Sequence, residues 1–271
     1  MHQPLPFATS SHQPDRRLHA RLLAGVLLGV AAFSPGAVTA AGPPADSALW
    51  ASAAQIARAS RWFFPGRAVI EETARLDRST TRSRVTARLE HRTGAEPAVA
   101  VTEVRVDNRD LTRDKADAVA TTLGPLVDAL YRPDHPLVSH NATDTQPAGE
   151  AVIDGARCRG FVTCSRMDGV AITMTTWIDT TRGFARRIEY RALNLPFERD
   201  GTFVREFTGT SEYTLDAANR WLLVRQSAHS KLKAPASVRA VEVRSDRTIT
   251  CADHWEYHGP RRTDAPPASG P

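Results

Sequence analysis

The sequence of 271 residues contains few lysines and no long block of like charge, and both absences bear on its partners. Lysine occurs only at Lys115, Lys231 and Lys233, so arginine supplies most of the positive charge behind a formal net charge of +5. The basic residues alternate with acids and form no stripe interleaved with aromatic residues. We therefore expect no nucleic acid as a partner, although a chain with net positive charge can accept an anionic one.

Motifs that carry catalysis or hold cofactors are also missing. Ser211 in TGTSEY lacks the second glycine of a nucleophile elbow, and no glycine-rich loop could cradle a phosphate. His254 and His258 lie four apart in HWEYH, but this is not the HExxH arrangement, and the surrounding residues indicate strand and tail. We expect a non-enzymatic protein without cofactor or metal. A Ser or Cys brought next to a distant His by the fold stays open as an alternative.

Cysteine is scarce as well, and its three positions are Cys158, Cys164 and Cys251. Their spacing resembles no zinc site. If CRGFVTC is one strand, Cys158 and Cys164 are about 20 Å apart, which is too far for a disulfide. A bridge to Cys251 needs neighbouring strands, and free buried thiols that pack as small hydrophobic groups are the alternative. The sequence leaves the pairing open.

The N-terminus carries an apolar run that is too short to span a bilayer, which needs about 20 helical residues. The run Leu22–Phe33 follows an arginine-rich segment and precedes a helix-breaking SPG, and small residues surround Ala40 and Ala41. This three-part layout predicts a secretory signal peptide over residues 1–41, cut near Ala40 or Ala41, and export to the periplasm. An uncleaved membrane anchor is the alternative.

The remainder predicts a single domain over residues 42–258, because no linker of convincing length divides it, and a disordered Pro/Ala/Ser-rich tail over 259–271. Helical spacing of apolar residues changes to alternation along the chain. The predicted helices are 47–64 and a second one from Asp110 to Leu130, and the predicted strands are 84–90, 98–106, 157–166, 170–179, 184–193, 202–215, 220–234 and 239–257. Short turns between the later strands indicate an antiparallel meander.

The stretch TMTTWIDTTRGFARRIEYRA, residues 173–192, is interpreted as a hairpin closed at TTRG. Period two puts two apolar sets on a common face if the turn register matches. The sets are Ile172, Met174, Thr176 and Ile178 before the turn, and Phe184, Arg186, Ile188 and Tyr190 after it. Arg187, Glu189 and Arg191 form a charged outer row, so one face is expected to pack on helices and the other to contact water.

The order of these strands resembles a known family. IDGARCRGF is followed by MDGVAITMTTWIDTTRGFARRIEYRALNLP, FTGTSEYTL, RWLLVRQS and RTITCADHWEY. The pattern includes Trp177-Ile178-Asp179 with Gly183, then Tyr213-Thr214, and the closing Trp255-Glu256-Tyr257. It resembles the LolA/LolB/RseB-like superfamily of bacterial periplasmic proteins, especially uncharacterised members described as outer-membrane lipoprotein-sorting proteins. The resemblance covers residues 150–257 well and residues 47–140 only as an order of elements.

This resemblance implies an α+β fold in which a strongly curved antiparallel sheet, an unclosed barrel, has helices over its concave face. It implies a carrier that holds acyl chains of lipids or lipoproteins in a hydrophobic hollow and contacts the membrane only transiently. The candidate lining residues are Phe161, Ile172, Met174, Ile178, Phe184, Ile188, Tyr190, Phe203, Phe207 and Tyr213. The alternative is an RseB-like sensory or protein-interaction domain with an envelope protein as its partner.

Overall fold

The fold was obtained as a computed structural model. It describes residues 44–76, 79–90, 98–131, 136–167, 170–196, 203–233 and 242–256. The predicted signal peptide and the predicted tail lie outside these residues, so both stay predictions. None of the described helices is long and apolar enough to cross a membrane.

Helices account for a small part of the described chain, and their bounds are α1 Pro44–Ala59, α2 Thr112–Tyr131 and α3 Pro136–Ser139, followed by a 3-10 turn at Ala142–Asp144. Both predicted helices are confirmed. The first ends earlier than predicted, at Ala59, because Phe63 and Phe64 instead pair with Trp255 and Glu256 as a two-stranded ribbon.

Strands make up most of the molecule. They are β1 Phe63–Phe64, β2 Arg67–Leu76, β3 Ser79–Glu90, β4 Ala98–Val106, β5 Arg109–Asp110, β6 Gln146–Ile153, β7 Ala156–Met167, β8 Val170–Asp179, β9 Ala185–Pro196, β10 Phe203–Leu215, β11 Trp221–Lys233, β12 Glu242–Ala252 and β13 Trp255–Glu256. The predicted meander is confirmed as β7 to β12. Two long strands were missed: β2, where Glu71-Glu72 interrupts the apolar alternation, and β6, whose proline and glycine are typical of a loop. The two-residue strands β1 and β5 were missed as well.

Eleven strands form one sheet in the order β5-β4-β3-β2-β12-β11-β10-β9-β8-β7-β6, and every neighbouring pair is antiparallel. The C-terminal strand β12 returns to pair with β2 and so joins the meander to the N-terminal strands. The ends, β5 and β6, do not meet, which leaves the sheet open. The predicted α+β class with a curved, unclosed antiparallel sheet is confirmed.

Both long helices lie on the same face of this sheet, which we call the covered face. Alternate residues of β12 show this: Val243 belongs to an apolar cluster that includes α1, and Ile249 belongs to a second cluster that includes Leu123 of α2. Because side chains two apart on a strand share a face, the two clusters occupy two parts of one surface. The opposite surface, the open face, carries charged and hydroxyl side chains such as Glu71 and Thr73.

Candidate functional site

The apolar part of the covered face beneath α1 brings together the residues that the sequence singled out. Six of them are at most 4% exposed and pack in one cluster with α1: Phe161, Ile172, Met174, Ile178, Phe184 and Ile188. Tyr190, Phe207 and Tyr213 are half-buried against the same cluster. Phe203 lies on β10, where its backbone pairs with Pro196 of β9 and Lys233 of β11, and its side chain lies outside the described part. A binding role for these residues stays a proposal, since in this structure they form packed core.

Helix α1 covers this surface with small side chains. Its buried residues are Trp50 and the three alanines Ala53, Ala54 and Ala57. The Trp50 ring meets the Phe161 ring edge-to-face, with centroids 5.5 Å apart. Leu49 and Ile56 of α1 are partly buried and also pack against the cluster, so the helix contributes one large ring and two aliphatic side chains, and the sheet contributes most of the apolar bulk.

Polar contacts hold α1 near its ends. The Trp50 indole donates to the carbonyl oxygen of His140 at 3.3 Å, and Arg159 pairs with Asp46 at 3.1 Å. Beyond the last turn, the backbone N–H of Trp221 donates to Ser60 Oγ at 2.8 Å. These contacts fix the helix over β7 and β8, and each joins α1 or its flank to a different segment.

The hairpin turn that follows β8 is organised by Asp179 and touches α1. Asp179 Oδ1 accepts hydrogen bonds from the backbone N–H groups of Thr181 and Arg182, and Oδ2 accepts one from Arg186 Nε at 2.8 Å. Burial raises the pKa of Asp179, but the two backbone bonds and Arg186 outweigh it and leave the pKa below its usual value. This carboxylate is a turn-forming group. Gly183 adopts φ +69°, and a Cβ there would lie 2.6 Å from Ser52 Oγ of α1.

A serine and a histidine do lie within hydrogen-bond distance, but both are buried. Ser165 Oγ is 3.3 Å from His140 Nε2, while Ser139 Oγ is 3.0 Å from His140 Nδ1. His140 and Ser165 are only 6% and 2% exposed, and neither lines the groove bounded by Glu71 and Arg84 or the cleft bounded by Ser52 and Arg182. The arrangement joins α3 to β7, and it gives a substrate no access to the serine.

The cysteines form no disulfide, since all three are free. Cys158 on β7 and Cys251 on β12 are separated by four intervening strands, which excludes the bridge that the sequence left open. Burial raises the pKa of Cys251 to about 12, whereas Cys164 is exposed.

The histidine pair of HWEYH is described only at its first member. His254 Nε2 contacts the carbonyl oxygen of Leu223, and His258 lies outside the described residues. Within the described ranges, no three His, Cys, Asp or Glu side chains could hold a metal.

The open face carries a groove of about 760 Å³. It crosses six strands that are adjacent in the sheet, in the order β4-β3-β2-β12-β11-β10. Its floor is the backbone of five cross-strand partners, and those with a side chain point it to the covered face. They are Ser83, Glu72, Arg247, Ala228 and Gly209. The walls are therefore the flanking side chains. They are Glu71, Thr73, Arg82, Arg84, Arg105, Thr208, Thr210, Ser227, His229, Asp246 and Thr248. Arg84 pairs with Glu71 at 3.0 Å, and His229 Nδ1 lies 2.7 Å from Asp246 Oδ1.

Comparisons with known proteins give remote likenesses. No family model and no curated protein matches the chain. Among solved structures, it is similar to a putative outer membrane lipoprotein-sorting protein domain from Vibrio parahaemolyticus, with 12% identity over 79% of this chain and 95% of that one and a TM-score of 0.32. A DUF1329 family protein from Desulfovibrio piger gives 10% identity over 77% and 92%, with a TM-score of 0.27. The Pseudomonas aeruginosa MucA/MucB complex gives 11% over 77% and 99%, with a TM-score of 0.22.

The first of these structures is described by the same phrase, outer membrane lipoprotein sorting, as the proteins that the motifs resemble. At these TM-scores the likenesses assign neither a cargo nor a partner.

A buried polar band separates the two apolar clusters of the covered face, and sequence reasoning missed it. Glu72 on β2 lies opposite Arg247 on β12, and Ser245 Oγ donates to Glu72. Burial raises the pKa of Glu72, and the bond from Ser245 and the charge of Arg247 oppose that rise. The sequence offered only a weak signal for this band. Glu72 and Arg247 are each in phase with apolar residues of their own strand, but the two strands are far apart in the sequence.

Proposed function

We propose that the protein is an exported, non-catalytic carrier that holds acyl chains of lipids or lipoproteins against the covered face when α1 is displaced. The observation that supports this most is the asymmetry of the contact beneath α1. The sheet presents large side chains such as Phe161, Met174 and Ile188, whereas the buried part of α1 is Trp50 and three alanines. A ligand that covers this surface has to replace the contacts of Trp50 and those of the partly buried Leu49 and Ile56.

Acyl chains have the chemistry to do this. Burial of each methylene contributes about 0.8 kcal/mol, so a chain of about 16 carbons gains up to about 12 kcal/mol before the costs of binding. Such a carrier needs an apolar surface and a removable cover, and it needs no reactive group. A periplasmic location, as the predicted signal peptide indicates, would place it between the two membranes that exchange lipid.

A disulfide between α1 and the hairpin turn tests the proposal. A Cβ at position 183 lies 3.4 Å from the Ser52 Cβ, beside the range of about 3.5 to 4.5 Å that disulfides use. We expect the Ser52→Cys/Gly183→Cys protein, made with Cys164→Ser, to bind a fluorescent fatty acid when reduced and to lose that binding when oxidised. A cysteine at φ +69° costs about 1 kcal/mol, so the reduced form of the same protein is the reference.

Two controls make the result readable. Ser52→Cys alone, with Cys164→Ser, should bind equally in both redox states. A mass loss of about 2 Da and unchanged circular dichroism show that the lock has formed in a folded protein. Equal binding by the fully oxidised and reduced double variant would contradict displacement of α1, because the helix could not then leave the sheet.

A second candidate is an RseB-like interaction domain, and the groove of the open face favours it. The groove is accessible while the covered face is filled, and the guanidinium of Arg82 has no ion-pair partner within the described ranges. If the groove binds an envelope protein, Arg82→Glu should abolish a cross-linked partner in periplasmic extracts. Arg67→Glu, an exposed arginine that does not line the groove, should not. Loss with both variants, or with neither, would count against this role.

A further inference from the structure

Two threonines of the covered face bury hydroxyl groups that bond to no described residue. Thr163 on β7 is 1% exposed and Thr176 on β8 is 0% exposed, and neither Oγ1 has a hydrogen-bond partner within the described ranges. A buried hydroxyl without a partner destabilises a fold, because it has lost its bonds to water and gained none. A buried hydroxyl that finds no partner among the described residues is a candidate to bond a ligand.

Both hydroxyls lie among the candidate lining residues. Thr163 is the cross-strand partner of Met174, and Thr176 is the cross-strand partner of Phe161 and of Ile188. The two threonines are therefore diagonal neighbours on adjacent strands, within reach of one small group. Valine would fill the same space without the hydroxyl, so packing alone does not require threonine at either position.

We infer that Thr163 and Thr176 donate hydrogen bonds to a carbonyl oxygen of the bound ligand, and that the cargo is an acyl ester lipid. This rests on the proposed function and adds the chemical class of the cargo. A hydroxyl donates to an ester carbonyl without any charge being buried.

The neighbouring side chains favour a neutral group over the carboxylate of a free fatty acid. The residues of β7 and β8 that flank the two threonines on the same face are Phe161, Ser165, Met174 and Ile178, and none of them carries a charge. A carboxylate buried between the two threonines would find no cation among these four neighbours, and burying it unpaired costs far more than burying an ester. The nearest cation on this face of β7 is Arg159, which pairs with Asp46 of α1 at 3.1 Å.

The first readout needs no ligand. Thr163→Val/Thr176→Val should raise the melting temperature of the lipid-free protein by about 3 °C or more, since removal of two unsatisfied hydroxyls relieves their cost. Thr175→Val is the matched control, because Thr175 lies on the same strand but on the other face and is half-exposed. It should leave the melting temperature unchanged. A double variant that melts at or below the wild-type temperature would overturn the inference, since the hydroxyls would then be bonded.

The second readout compares two lipids with identical chains. Displacement of a fluorescent long-chain alcohol, a probe without a carboxylate, is measured with 1,2-dipalmitoylglycerol and with its diether analogue 1,2-dihexadecylglycerol, which lacks carbonyls. The wild-type protein should prefer the ester by about threefold or more, the effect of one or two hydrogen bonds, and the double valine variant should lose that preference while still binding the ether. Equal preference in both proteins overturns the inference and leaves the carrier proposal intact. If neither lipid displaces the probe from the wild-type protein, both proposals fail.

Discussion

Replacement of Trp50 by alanine tests whether α1 is held on the sheet mainly by one ring. Trp50 is 2% exposed, it meets Phe161 edge-to-face at 5.5 Å, and its indole donates to His140. Truncation of a buried tryptophan costs about 3 to 5 kcal/mol. Of this, the aromatic pair accounts for about 1 kcal/mol and the lost hydrogen bond for about 1 kcal/mol. The remainder is lost apolar burial and the cavity.

Urea unfolding of the mature protein, followed by circular dichroism, measures this cost. A domain of this size is stable by about 5 to 15 kcal/mol, so Trp50→Ala should remain folded but melt roughly 10 °C lower. If α1 is a cover, the same variant should bind a fluorescent fatty acid more tightly than the wild type, because less free energy opposes displacement of the helix. Trp50→Phe, which keeps a ring without the indole N–H, should fall between the two.

An unfolding free energy that changes by less than about 1 kcal/mol would refute the reasoning, because a fully packed tryptophan cannot be removed at so small a cost. Weaker fatty acid binding by a folded Trp50→Ala protein would contradict the role of α1 as a cover.

Three further predictions concern the rest of the fold. Because the pKa of Asp179 is lowered in the folded protein, its stabilisation is complete above its unfolded pKa of about 3.9 and is lost as pH falls through the lower folded value. Asp179→Asn should therefore lower the unfolding free energy at pH 7. The gap in unfolding free energy between wild type and variant should shrink at pH 2 to 3, and an equal gap at both pH values would contradict this. At pH 8 the native protein should react with one equivalent of a thiol reagent, at the exposed Cys164, and with three once unfolded, since Cys251 has a pKa of about 12 and Cys158 is buried. Three fast equivalents in the native state would disagree with this burial. Gly160→Ala should destabilise the fold by about 1 to 3 kcal/mol in urea unfolding, because the new Cβ would lie 2.6 Å from the Trp177 ring. An unchanged midpoint would show that the ring moves aside freely.

The sequence predicts the part of the fold that depends on near neighbours. Alternation placed Ile172, Met174 and Ile178 on one face, and the pairing of Met174 with Tyr190 and of Thr176 with Ile188 confirms that register. The prediction for Arg186 was wrong, because a bulge between Trp177 and Ile178 puts Ala185 opposite Ile178 instead. A one-residue slip would have exposed the whole apolar set, so the pattern leaves little freedom.

Features that join distant segments could not be predicted in this way. The pairing of β2 with β12 brings Glu72 next to Arg247, and no local pattern links residues so far apart in sequence. The groove of the open face has the same origin, because its walls come from strands at both ends of the chain. The missing partners of Thr163 and Thr176 are visible only once every neighbour is placed.

Nine of the ten residues predicted to line a hollow pack in or against one apolar cluster, the side chain of Phe203 lies outside the described part, and the acyl-chain role stays a prediction. Residues such as Phe161 and Ile188 are apolar at period two whether they pack against a helix or hold a ligand. The small side chains of α1, chiefly Ala53, Ala54 and Ala57, gave a usable signal, since they indicate a close but shallow contact with the sheet.

Photo-cross-linking of a diazirine-labelled diacylglycerol tests the central claim most directly. If acyl chains occupy the covered face, peptide mass spectrometry should find the label on β7, β8 and β9, at positions such as Phe161, Met174 and Ile188. The disulfide between positions 52 and 183 should suppress that labelling. Label confined to open-face residues such as Thr208 and Ser227, or unchanged by the lock, would contradict the account.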